Sequence, residues 1–218
     1  MDFEFLSTRA PMFLAAAKLT VILGCWGVLL SIVVGLFCAV VRFYRVPLVR
    51  WLVGAYIELA RNTPLMVQLF FLYFGLPRLG LVLEGETCAI VGLTFLGGAY
   101  LAEAFRGGLL AVGRDQIEAG LSIGLNRLQL LRYVIVPQAL AVSLPAISAT
   151  VIFLLKETSV FSIVALPDLM YVAKDLLKEG NSAETNLLLV ISYLAVILPV
   201  SLFFGWLERR LRFAGFGS

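Results

Sequence analysis

Five stretches of this chain are apolar for about as long as a bilayer is thick: residues 12–41, 51–76, 88–110, 138–155 and 186–207. A helix crossing the hydrocarbon core needs about 20 such residues. Lipid offers no partner to an exposed backbone N–H or C=O, so each stretch must satisfy its own backbone as a helix. The expectation is an all-α integral membrane protein, a single domain over residues 1–218. Of these residues 61% are hydrophobic and 14% are charged. A soluble domain carries roughly 25% charge, and the mean hydropathy of +0.99 points the same way.

The charges sort by side. Arg42, Arg45 and Arg50 cluster around Pro47 without an acid. Arg106, Arg114, Arg127 and Arg132 surround the link between the third and fourth spans, and the tail LERRLRF is basic. Asp168, Asp175, Glu179 and Glu184 outweigh Lys174 and Lys178 in the link before the last span, and residues 77–87 hold Arg78, Glu84 and Glu86. Basic loops stay in the cytoplasm. Five spans then place the N-terminus outside and the C-terminus in the cytoplasm of a bacterial inner membrane. The opening MDFEF is acidic and the apolar run after it is too long for a cleaved signal.

Several function classes lose their footing. The net charge of +3 contains no basic run, so no nucleic-acid partner is expected. Cys25, Cys38 and Cys88 fall in or beside apolar spans, and there is no His, so no disulfide framework and no metal site is expected. No catalytic constellation is visible. A phosphate-cradling Gly-x-x-x-x-Gly-Lys-Ser/Thr loop is also missing. An ion-coupled transporter would usually be built from two inverted halves, and no repeat is seen.

The main polar interruption is residues 115–137. Ile117, Leu121, Leu125, Leu128 and Leu131 recur at helical steps, with Gly120 and Gly124 one turn apart. A surface helix pair between two spans accounts for the periodicity. The spacing says more. It resembles the coupling loop of ABC-transporter permeases: Glu-Ala-Ala, three residues, Gly, nine residues, then Ile-x-Leu-Pro. Glu118, Ala119, Gly124 and Pro137 match, Gly120 replaces the second Ala, and Val134 and Val136 replace Ile and Leu. IELARNTPLMVQLFFLYFGLP resembles the second-span signature of polar amino-acid permeases, with Asn62 where Gly is usual. GAYLAEAFRGGLLAV, LLKETSVFSIVALPDL and WLERRLR resemble three further signatures of that family, with Glu157 in place of Asp.

The resemblance implies a type I ABC importer permease fold with five transmembrane helices and a cytoplasmic coupling loop at about 115–137. It implies that Glu118, Ala119, Gly120, Gly124 and Pro137 engage a separate ATPase subunit. It also implies a second permease, alike or a sister subunit, an outer substrate-binding protein, and a polar amino acid as cargo. ATP and Mg would bind the partner ATPase, with no cofactor on this chain.

Polar residues inside lipid default to functional candidates. Pro64 predicts a break in the second span, flanked by Asn62, Thr63 and Gln68. Thr63, Met66 and Gln68 either line a substrate path or pack helix to helix. Lys156, Glu157, Thr158 and Ser159 close an apolar span. They form either a cluster that holds both ends of a zwitterion or a solvated helix boundary. Glu58 and Arg61 lie three apart and are expected to neutralise each other, as are Glu103 and Arg106. Residues 154–169 are expected to form a re-entrant or interfacial helix.

Overall fold

The computed structural model describes residues 3–44, 46–178, 180 and 182–211. Arg45, Glu179 and Arg212, which entered the charge reading, lie outside the described residues, as do the first two and the last six. Among the described residues four helices are long and apolar enough to cross a bilayer, within Ser7–Phe43, Gly85–Ala111, Arg127–Val164 and Ala183–Leu211. The other predicted crossing is made in pieces. Helix α2 (Val49–Arg61) stops at Asn62, α3 (Leu65–Phe70) starts after Pro64, and a π turn and a 3-10 turn carry the chain to Leu79. Pro64 has no N–H to give the preceding turn, so α2 ends where the sequence predicts.

Helix α1 (Phe3–Phe43) and α4 (Gly85–Ala111) share the most extensive interface, and α7 (Val136–Glu157) covers another side of α4. Lipid is as apolar as Leu, so close packing rather than water expulsion holds such helices together. Glycines permit it. A Cβ on Gly97 would stand 2.6 Å from Leu154 Cδ1 of α7, and one on Gly98 would stand 2.7 Å from Val34 Cγ1 of α1. Polar groups bridge the same seams: the buried Ser31 hydroxyl reaches Gly27 O at 2.7 Å and, across the interface, Leu93 O at 3.2 Å. The Tyr56 hydroxyl ties α2 to α4 through Phe95 O at 2.8 Å. Helix α9 (Ser182–Leu211) lies outermost, and none of its apolar window is buried.

The predicted separate helix over 154–169 is not seen. α7 runs on through Glu157, continues as 3-10 turns over Thr158–Val164, and stops at Ala165, whose φ is 55°. The short helix α8 (Leu169–Leu177) follows, capped by Asp168. That acid was counted with a solvated loop, but it is wholly buried. Its Oδ1 accepts the Tyr171 amide at 2.9 Å.

The polar stretch between the third and fourth spans folds back on itself. Helix α5 (Arg114–Ser122) turns at Gly124, and α6 (Arg127–Leu130) then leads through a π turn into α7. Asn126 and Gln129 form a reciprocal cap, each side chain bonding the other's amide at 2.9 Å. Pro137 lacks the N–H that would bond back to Tyr133, and the turn before it widens to π geometry.

Candidate functional site

The break in the second crossing frees the last carbonyls of α2, which need partners in lipid. Three side chains supply them in order. The Asn62 amide donates to Glu58 O at 2.7 Å, the Thr63 hydroxyl to Leu59 O at 2.8 Å, and the Gln68 amide to Ala60 O at 3.1 Å. Gln68 also donates to Thr63 O at 3.0 Å, so it stitches α3 to the end of α2. The break lies roughly 18 Å along α2 from Val49, at 1.5 Å per residue. Discontinuous helices near the midplane are where many transporters bind their cargo.

A cavity of about 470 Å³ opens beside the break. Arg61, Asn62, Thr63 and Met66 line it from the broken crossing, Leu96 and Tyr100 from α4, and Phe153 and Glu157 from α7. The Arg61 guanidinium lies over the Tyr100 ring, 5.3 Å from its centroid. The expected Glu58–Arg61 neutralisation is not made among the described residues. The Glu58 carboxylate instead accepts the Asn62 amide at 3.2 Å, because the helix ends at Arg61 and releases that side chain toward α4. One cavity therefore holds a guanidinium and a carboxylate that are not paired with each other among the described residues.

The polar cluster predicted at 156–159 is split by the helix. Successive residues point about 100° apart. Glu157 enters the cavity, Lys156 and Ser159 line a separate apolar groove with residues of α9, and Thr158 is fully buried, its hydroxyl on Leu155 O at 2.7 Å. Gln68 lines a different, apolar cavity beyond Thr63. Of the seven predicted path residues, Thr63, Met66 and Glu157 thus meet in one place. Arg61 and Tyr100 were not singled out for it. The signal for Arg61 is an ionisable residue inside an apolar span, which defaults to function; its supposed neutralisation by Glu58 hid it.

The folded stretch between α4 and α7 places the other candidates. Gly120 is buried, and a Cβ there would stand 2.6 Å from Leu130 Cδ1. It admits this chain's own Leu130. Gly124 has φ of +82° and open space around it, so it serves as the left-handed turn after α5 and not as a helix glycine. Glu118 and Ala119 are exposed at mid-helix, and Glu118 is not in the first turn. Leu121, Ile123 and Leu128 stand 51%, 79% and 74% exposed around that turn, an apolar tip with no cover from this chain. The pairing of Glu103 with Arg106 is formed at 2.7 Å, and Arg42 joins the same carboxylate.

Residues 31–213 match the family of the binding-protein-dependent transport system inner membrane component. The chain is 32% identical to the "Probable amino-acid ABC transporter permease protein PatM" of Vibrio harveyi, covering 96% of both chains. It is 31% identical to the glutamine transport system permease protein GlnP of Escherichia coli, covering 97% of this chain and 98% of that one. A solved amino acid ABC transporter, crystallised with histidines, superposes with a TM-score of 0.87 at 31% identity. That match covers 96% of this chain and 99% of the other.

Proposed function

The chain belongs to the family of binding-protein-dependent transport system inner membrane components, and from that premise we propose that it carries polar amino acids inward through the cavity at its broken crossing. The observation that supports this reading is the separated pair of charges in that cavity. A zwitterion presents a carboxylate and an ammonium at fixed spacing. Arg61 offers the guanidinium fork that suits a carboxylate, and Glu157 attracts the ammonium. Thr63, held by Leu59 O, keeps lone pairs free to accept, and Met66 and Leu96 supply apolar walls.

The chain is a translocation subunit and not an enzyme. Its motion comes from a separate ATPase, which holds ATP and Mg in our reading. The exposed tip at Leu121, Ile123 and Leu128 is what that ATPase grips, with Glu118 and Ala119 on the same helix and Gly120, Gly124 and Pro137 shaping the turn. Two such tips, on this chain and on an identical or sister permease, move together when the ATPases close, and the cavity alternates between the two sides. A substrate-binding protein delivers cargo outside, on the face away from the tip, which lies in the cytoplasm together with the C-terminus. The ion-coupled alternative finds no support, since the relatives are ABC transporter permeases by name.

The test is amino-acid-stimulated ATP hydrolysis by the reconstituted complex, wild type against Glu157→Gln and Arg61→Gln. Both variants should assemble and hydrolyse ATP at the basal rate, with stimulation shifted to higher amino-acid concentration. Unaltered stimulation in both would remove the cavity from the path.

A further inference from the structure

A second cavity, about 670 Å³, lies at the cytoplasmic end, where α1, α4 and α5 meet. Its lining has two characters. Arg42, Arg50, Arg106 and Arg114 point charge into it, and Phe43, Leu109, Leu110, Ile117 and Ile135 make it apolar. The acid at this corner, Glu103, is taken up by Arg42 and Arg106. Arg50 and Arg114 are exposed, and their guanidiniums form no ion pair or hydrogen bond among the described residues. Among the described residues the cleft and its corner therefore carry three more positive charges than negative ones, four arginines against Glu103, and two of the guanidiniums have no partner. Its surroundings are those of a membrane boundary. Next in sequence to its lining residues Phe43 and Arg50 stand Tyr44 and Trp51, 64% and 71% exposed, and Leu110 is 60% exposed at the end of α4. Amphipathic aromatic residues gather at the level of the lipid headgroups.

We propose that this cleft holds the headgroup of an anionic phospholipid of the cytoplasmic leaflet. Arg50 and Arg114 would take the phosphate, and the acyl chains would leave past Leu110 and Trp51. An acidic protein segment would satisfy the guanidiniums, but it has no use for the apolar wall beside them; an amphiphile uses both. Basic pockets at the cytoplasmic ends of membrane helices suit such headgroups. The lipid would bridge α1, α4 and the first turn of α5, which leads to the tip the ATPase grips. The inference rests on the membrane orientation taken above and not on the identity of the cargo.

The full chain, purified in neutral detergent, is titrated with phosphatidylglycerol and with phosphatidylcholine, and bound lipid is counted by native mass spectrometry. The wild type should retain phosphatidylglycerol selectively. R50Q/R114Q should bind it about ten-fold or more weakly, since each basic residue at the surface adds several-fold, and R50K/R114K should stay near the wild type. Equal retention of the two lipids by the wild type would overturn the proposal. So would unchanged phosphatidylglycerol binding in R50Q/R114Q, including the case where that variant instead loses its ATPase. Neither arginine's side chain makes a bond among the described residues, so single R50Q and R114Q variants serve if the double one misfolds. Lipid retention is read without transport, so its failure leaves the reading of the substrate cavity standing.

Discussion

Arg61 lies over the face of Tyr100, its guanidinium carbon 5.3 Å from the ring centroid. Arg61 ends α2 and Tyr100 sits in α4, so this contact sets the direction of the one cation that lines the cavity among the described residues. A guanidinium over an aromatic face gains about 0.5–1 kcal/mol where water reaches it, and about 2 where it does not.

Tyr100→Phe keeps the ring and should leave amino-acid-stimulated ATP hydrolysis within about two-fold of wild type. Tyr100→Leu removes it and should raise the half-saturating amino-acid concentration several-fold, in line with a cation–π loss of roughly 1 kcal/mol. Basal hydrolysis should not move. Equal effects of Phe and Leu would mean the ring does not orient Arg61.

Glu157 and its neighbours offer a test of which adjacent polar residues belong to the proposed path. Glu157 lines the Arg61 cavity, whereas Lys156 and Ser159 face the groove beside α9. Glu157→Gln should cut uptake by about ten-fold or more, since a charge-assisted hydrogen bond is worth about 1.5–3 kcal/mol. Lys156→Gln and Ser159→Ala should stay close to wild type. Comparable losses at all three positions, measured as initial uptake rates, would restore the idea of one continuous cluster.

Those two cases show what a linear reading holds and what it loses. The crossings were legible because lipid enforces length and apolarity. The break was legible because proline removes a donor and biases the residue before it. Glu157 was legible as a charge in the wrong solvent. The direction of each side chain was not. Lys156, Glu157, Thr158 and Ser159 are adjacent in sequence yet serve an apolar groove, a cavity and a buried seam, since the turn at the end of α7 rotates them apart. Arg61 was misassigned because local spacing favoured Glu58, while the end of α2 gave it a longer-range partner. The bare surface of Gly120 was legible as a place of close approach, but the closure of α5 onto α6 was not visible in the pattern, and Leu130 occupies that space.

Gly120 and Gly124 are glycines for different reasons and should fail differently. Gly124 has φ of +82° and free space around it, so Asn, which tolerates that conformation, should be accepted. Val at the same place should cost about 1–2 kcal/mol of strain. Gly120 has ordinary helical geometry but faces Leu130. Ala there needs a small shift of one flexible side chain and should be tolerated, whereas Leu should force α5 off α6. Co-purification of the ATPase reads the outcome: near wild type for Gly124→Asn and Gly120→Ala, sharply reduced for Gly124→Val and Gly120→Leu. Retention of the ATPase by Gly120→Leu would show that the tip does not need this closure.

Asp168 gives the protein a pH-dependent seam between α8 and its neighbours. The residue is wholly buried and Oδ2 has no hydrogen-bond partner among the described residues. Burial pushes its carboxyl from 3.8 up to about 6, against the pull of the Tyr171 and Met170 amides and of Lys174. The Tyr193 phenol is the other titratable group that faces it. The folded state thus keeps the proton up to about pH 6, whereas an unfolded chain gives it up near 3.8. Between those values the folded state binds more protons, so this residue's contribution to stability is complete below the lower value and is lost as pH rises through the upper one. The span of roughly two units corresponds to at most about 3 kcal/mol. Asp168→Asn keeps an oxygen for the Tyr171 amide and removes the charge. Thermal unfolding of the purified protein from pH 4 to pH 7 should show a Tm that falls with pH in the wild type and is flatter in the variant, with the variant gaining on the wild type toward pH 7. Parallel profiles for the two proteins would place the source of any pH dependence elsewhere.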